Sequence, residues 1–163
     1  MQAFTVKDLK KFTALLFTQD AFDRFLLHDA SFGTAYHTEI SGAKNRAFYP
    51  ESEQEEAMKV PFVTWGEVRP IARELLRGSR PPVRFRVVLL TDPASTESMV
   101  RRSGFTGCPV TSLSLTIQYR EQAVTLTSGV SYGGFSADKS LEKYWARAVM
   151  QFLDAKQVAY EEA

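Results

Sequence analysis

The chain is poor in cysteine, histidine and net charge, and it has no long apolar run. Its 163 residues include one cysteine (Cys108) and two histidines, with a formal net charge of +1. A single cysteine forms no intramolecular disulfide, which removes the usual reason to expect an oxidising compartment. No stretch approaches the roughly 20 apolar residues of a membrane helix, and Met1–Asp8 lacks a secretory signal pattern. We therefore expect a cytoplasmic protein with no membrane partner and no overall attraction to nucleic acid.

Hydrophobic spacing predicts helices and strands in mixed order. Helical periodicity with capping signals predicts four helices: Thr5–Phe17, one from Thr64 to just before Gly78, Pro93–Ser103, and one starting at Asp138 or Ser140. Strand patterns occupy four places: Phe25–Phe32, Ala35–Ile40, Val83–Leu90, and a hairpin from Thr111 to Ser128. Glu51–Lys59 is either a surface helix or a loop. Paired strands without strict alternation predict an α+β fold. We expect a single domain over residues 1–163, with a largely antiparallel sheet, helices packed against it and a long amphipathic C-terminal helix.

A G-x-S-x-G pattern occurs at Gly129–Gly133. In a hydrolase this pattern places a nucleophilic serine on a strand–turn–helix, and a histidine follows later in the chain. Here both histidines, His28 and His37, lie far upstream of Ser131, and the surrounding strands are predicted to be antiparallel. We interpret the segment as a strand end that leads into the last helix, and we assign no catalytic residue.

Two histidines and a carboxylate form a candidate metal site. If Phe32-Gly33 is a two-residue turn between two paired strands, His28 lies opposite His37, and Glu39 falls on the same face. Two imidazoles and a carboxylate suit zinc or a similar ion. Phe-Gly is a poor hairpin turn, however, and another loop length would break this register. An ordinary pair of surface histidines is the simpler interpretation.

Arginine is concentrated in one short stretch of the sequence. Six arginines fall within 18 residues: Arg69, Arg73, Arg77, Arg80, Arg84 and Arg86. The first three recur every four residues and form a stripe on a helix, and the last two share one face of a strand. Such a set could recognise phosphates or an acidic partner, since guanidinium groups bind these anions with two parallel hydrogen bonds. A solvated or ion-paired surface is the alternative, because Glu67 and Glu74 share the helix.

Several segments together resemble a known family. They are Phe25–Leu27, Thr64–Pro70, Leu76–Gly78, Ser128–Tyr132, Asp138–Glu142 and Trp145. These segments resemble a family of short bacterial proteins of unknown function, found chiefly in clostridia and their relatives, over nearly the whole chain. The resemblance implies a bacterial, cytoplasmic protein. It implies no activity, cofactor or catalytic residue.

The residues favour a non-catalytic binding or protein-interaction domain, because no convincing nucleophile, nucleotide loop or carboxylate pair is found. No cofactor is predicted. The arginines from Arg69 to Arg86 would form a face for a protein or another anionic partner, and nucleic acid stays an open alternative that is not favoured. The alternative is a small metal-dependent enzyme that uses His28, His37 and Glu39.

Overall fold

A computed structural model describes residues 1–163, and its centre is one seven-stranded sheet in which every neighbouring pair is antiparallel. The strands are β1 (Gln2–Val6), β2 (Leu26–Gly33), β3 (His37–Ser41), β4 (Arg84–Leu90), β5 (Val110–Arg120), β6 (Ala123–Tyr132) and β7 (Tyr160–Glu162). They lie in the order β3-β2-β4-β5-β6-β1-β7. The helices are α1 (Leu9–Phe17), α2 (Glu51–Ala57), α3 (Trp65–Leu76), α4 (Pro93–Ser103) and α5 (Ser140–Ala155). The predicted α+β fold with an antiparallel sheet and a long C-terminal helix is confirmed.

The two faces of the sheet differ in composition. On β5, the buried apolar and aromatic side chains are Leu113, Leu115, Ile117 and Tyr119. The residues between them are Ser114, Thr116 and Gln118, which are half-buried or exposed. Since neighbouring side chains of a strand point to opposite faces, one face of β5 joins the core and the other is polar. Helices α1, α3 and α5 share a cluster of 29 buried residues with the apolar face.

Helix α3 is fixed at its start by interactions within its own sequence. The Thr64 hydroxyl accepts from the Glu67 N–H (3.3 Å), and the Glu67 carboxylate accepts from the Thr64 N–H (2.7 Å), which completes a capping box. The next residue, Trp65, is fully buried, and its indole N–H donates to the Leu16 carbonyl at 2.9 Å. The predicted helix start at Thr64 is confirmed, and Trp65 holds α3 against α1.

The first residues of the chain differ from the prediction. The predicted first helix is present and ends at Phe17 as expected, but its predicted start at Thr5 is wrong, because Gln2–Val6 form strand β1 and the helix begins at Leu9 with Asp8 as its N-cap. The physical reason is burial, since Phe4 and Val6 alternate toward the core while β1 pairs with β6. The segment whose structure was left open forms α2, a short helix with no buried residue.

Candidate ligand-binding site

The hairpin that was expected to join the two histidines has a different register. The predicted turn at Phe32-Gly33 is wrong, because β2 continues through Gly33 and the chain reverses after it. Gly33 pairs with His37, so His28 lies five residues further along β2. At about 3.3 Å per residue this separates the two histidines by roughly 16 Å along the strand. His28 and His37 are therefore not opposite each other.

Each histidine instead has its own carboxylate neighbour. His28 Nδ1 is 2.7 Å from Asp29 Oδ1, and His37 Nε2 is 3.1 Å from Glu39 Oε1. All four side chains are exposed to a large extent. No group of three or more His, Cys, Asp or Glu side chains converges as metal ligands would. The sheet register thus removes the geometric basis of the predicted site at His28, His37 and Glu39.

The Gly129–Gly133 segment has the structure that was expected of it. Strand β6 extends to Tyr132, and α5 begins only at Ser140. A nucleophile elbow needs an abrupt strand–turn–helix, which this longer connection does not provide.

The last residue of β6 has an unpaired polar group, because the Tyr132 hydroxyl is buried and has no hydrogen-bond partner. Burial raises the pKa of the Tyr132 phenol, with smaller contributions from Glu142, Cys108 and Asp138.

The six arginines do not form one face. Between Arg84 and Arg86 lies Phe85, whose side chain is buried in the core beneath the helices. The alternation of the strand therefore directs Arg84 and Arg86 to the opposite, polar face of the sheet. Arg69, Arg73 and Arg77 lie on α3, on the helix side. The expectation of a single arginine-rich face is wrong because the sheet separates the two groups.

On the polar face of the sheet, the arginines lie close to acidic residues or to one another. Arg86 Nη1 is 3.3 Å from Asp29 Oδ2. Arg84 is the direct cross-strand neighbour of Arg120, and its side chain extends over Gly33, where a Cβ would lie 3.0 Å from Arg84 Cγ.

On the helix side, Arg69 has a structural role. Its guanidinium donates to both carboxylate oxygens of Asp23, from Nε to Oδ1 (2.7 Å) and from Nη2 to Oδ2 (3.0 Å). The two side chains are only 20% and 25% exposed. The hydrogen bond to Asp23 is the main cause that raises the pKa of Arg69. This arginine joins α3 to the segment that follows α1, and its Nε, Nη1 and Nη2 atoms each donate a hydrogen bond within the protein.

Beside α3 lies a cavity of about 650 Å³ between α1, the last turns of α3, and the sheet end where β4 begins and β5 ends. Aromatic side chains form its floor. Phe85 and Tyr119 are stacked (5.2 Å between ring centroids, 14° between planes), and Phe17 meets Phe85 edge-on at 5.1 Å. The connection from α3 to β4 supplies a further wall through Pro81 and Pro82. The cavity therefore has an apolar floor of buried aromatic rings.

Cations form the rim of this cavity. Lys10, Arg73 and Arg77 line it, and all three are exposed. Arg77 has a long contact with Glu74 (3.4 Å), while Lys10 and Arg73 take part in none of the ion pairs of the structure. None of the thirteen lining residues is acidic. An apolar floor below three positive charges is suited to a ligand with an apolar body and an anionic head.

The sequence identified only part of this site. Arg73 and Arg77 belong to the predicted arginine set, whereas Lys10, Phe17, Phe85 and Tyr119 were not singled out. In the sequence, each of the missed residues fits the ordinary pattern of its own helix or strand. The aromatic residues occupy core positions of a helix or strand. No spacing pattern indicates that α1 and α3 leave a gap over Phe85 and Tyr119, because that gap depends on how two helices pack.

Fold and cavity together define an α+β domain with one polar sheet face and a cation-rimmed cavity beside its helices. The chain belongs to the family of unknown function DUF5721, whose sequence model matches residues 15–161. This confirms the predicted resemblance to an uncharacterised family. A search of the curated proteins and a search of the solved structures found no match. None of the helices has the length and apolar character needed to cross a membrane.

Proposed function

We propose that the protein is a binding domain for an amphipathic organic anion, which it holds in the cavity between α1 and α3. The observation that carries the proposal is the combination of an aromatic floor with a rim of Lys10, Arg73 and Arg77 and no acidic lining residue. The volume of about 650 Å³ lies within the roughly 300–1,000 Å³ of small-molecule sites. This narrows the expected anion recognition to two of the six predicted arginines, Arg73 and Arg77.

The floor and the rim contribute in different ways. Burying apolar ligand surface against Phe17, Phe85 and Tyr119 contributes about 25 cal/mol for each Å² removed from water. The rim cations are exposed, so each adds at most about 1 kcal/mol to an ion pair with the ligand. The floor therefore supplies most of the affinity, and the rim favours ligands whose head group is negatively charged. An arginine pairs with a carboxylate or phosphate through two parallel hydrogen bonds.

Three ligands with the same ten-carbon chain test this division. Isothermal titration calorimetry would compare decanoate, decanol and decyltrimethylammonium at neutral pH. We expect decanoate to bind about tenfold more tightly than decanol, which corresponds to 1.4 kcal/mol, and the cation to bind most weakly. Equal affinity for the three ligands, or no binding of decanoate, would refute the proposal.

Variants then localise the site. Arg73→Gln removes one rim charge, so decanoate should weaken toward the affinity of decanol while decanol is unchanged. Ala14→Phe places a ring in the cavity that Ala14 lines and should weaken all ligands. The matched control is Arg147→Gln, because Arg147 is also an exposed helix arginine but lies on α5. A loss in the control equal to that in Arg73→Gln would contradict the assignment.

We also place the protein in the cytoplasm. The support is its cysteine content, since Cys108 is the only cysteine and forms no intramolecular disulfide. Fractionation of cells that express the protein with a small C-terminal tag tests this placement. Recovery of the tagged protein outside the cytoplasmic fraction would contradict it.

A further inference from the structure

A second depression lies on the other side of α3. It is an open groove of about 710 Å³ between the turn that joins β2 to β3 and the outer face of the helix, lined among others by Tyr36, Pro70, Ile71 and Leu75. Arg77 lines both this groove and the cavity, so the two depressions are neighbours at the end of α3.

Exposed apolar side chains are concentrated along this groove. Only six large apolar residues of the chain are exposed, and Tyr36 (66%) and Ile71 (58%) both line the groove. A third, Val83 (67%), flanks the same turn, since its N–H donates to the Gly33 carbonyl. Clusters of exposed apolar residues on a protein surface mark sites of interaction with other proteins. A small molecule that fills the cavity leaves this cluster uncovered.

The geometry points to a peptide segment of a partner protein as the occupant of both depressions, one that carries large apolar side chains and an acidic residue between them. This inference rests on the proposed function and names the class of anion. One apolar side chain of the peptide fills the aromatic cavity, the acidic side chain pairs with Arg73 and Arg77, and the chain continues over Tyr36 and Ile71.

Charge and length support this occupant. Lys10, Arg73 and Arg77 are the cations that line the two depressions, and Glu74 is the one acid that lines them. The excess of positive charge complements an acidic segment. Crossing one helix takes about 10 Å, which three or four extended residues span. The acid should therefore lie within about four residues of each apolar side chain.

The test is a selection from a random 12-residue peptide library displayed on phage, with the full-length protein as bait. We expect the selected sequences to share an acidic residue within about four positions of Phe, Trp or Leu. The strongest peptide, labelled with fluorescein, is then measured by fluorescence polarisation, next to a version whose acidic residue is replaced by lysine. The replacement should weaken binding at least tenfold. Enrichment of basic sequences, or no enrichment, would overturn the inference.

Variants separate this inference from the proposed function. Tyr36→Ser and Ile71→Ser should weaken the peptide about tenfold, as expected for central contacts of an interface, while decanoate binding in the cavity is unchanged. Phe135→Ser is the matched control. Phe135 is 90% exposed and follows the end of β6, at the end of the β5–β6 hairpin that lies away from the cavity. If decanoate binds and no peptide does, only the peptide inference fails. If neither binds, the proposed function fails as well.

Discussion

The ion pair between Arg69 and Asp23 predicts a clear separation of stability from binding among the arginines of α3. Arg69→Gln removes a guanidinium that makes two hydrogen bonds to Asp23, of 2.7 and 3.0 Å. Arg73→Gln is the matched change one turn later, where the side chain is exposed. Arginine and glutamine have similar helix propensities, so the change in helix propensity contributes little to the free energy of unfolding in either variant. The first variant should lower stability, and the second should lower ligand binding.

The size of the effect follows from the burial of the pair. Exposed ion pairs contribute about 0–1 kcal/mol, and removing one partner of a fully buried pair costs about 3–5 kcal/mol. With side chains 20% and 25% exposed, the pair lies between these limits, and we expect a loss of about 2 kcal/mol. For a chain of 163 residues this lowers the Tm by about 4–8 °C. Arg73→Gln should change the free energy of unfolding by less than about 0.5 kcal/mol.

Urea denaturation and thermal melting of both variants measure these changes. Asp23→Asn and the double variant complete a double-mutant cycle, in which the coupling energy should be about 1–2 kcal/mol because each single change removes the same contact. Decanoate titration of Arg69→Gln should give the wild-type affinity. The reasoning is refuted if Arg69→Gln and Arg73→Gln have the same Tm, or if the coupling energy is near zero.

Two further predictions concern other parts of the fold. Gly42→Ala should destabilise by about 1–3 kcal/mol, because its Cβ would lie 1.7 Å from the Leu27 carbonyl oxygen; urea denaturation should show no such loss in Gly134→Ala, whose Cβ meets only Cys108 at 3.5 Å. Tyr132→Phe should raise stability at pH 7 by about 1 kcal/mol, since it removes a buried hydroxyl without a partner. Burial raises the pKa of Tyr132, so ionisation favours the unfolded chain, and wild-type stability should fall above about pH 10 more steeply than that of the variant.

Elements with local signals were predicted well. Helix α4 has Asp92 as its N-cap, Pro93 in its first turn, and Gly104 in the left-handed conformation (φ 75°) at its end, and each of these follows from the residue itself. The same holds for the capping box at Thr64. In these places a few neighbouring residues determine the backbone, so the sequence alone is sufficient.

Elements that depend on distant partners were predicted less well. Thr5 and Asp8 have the spacing of a helix start, yet Thr5 pairs with Thr125 of β6, and no local pattern shows this. Gly33 suggested a turn, but it remains in β2, where its missing side chain leaves room for Arg84. The cavity likewise depends on how α1, α3, β4 and β5 pack together in the folded chain.

Strand β1 also has a consequence for how the chain reaches its native state. Its residues pair on one side with β6, as Val6 does with Val124, and on the other with β7, as Thr5 does with Glu161. Contacts across such long loops form slowly, because the loop-closure entropy is lost before the contacts are gained. Until β1 docks, β6 presents an unpaired edge to other chains. Refolding at high protein concentration should therefore lose protein to aggregation at this edge. Other partly folded copies of the chain favour the same aggregation when they are close together.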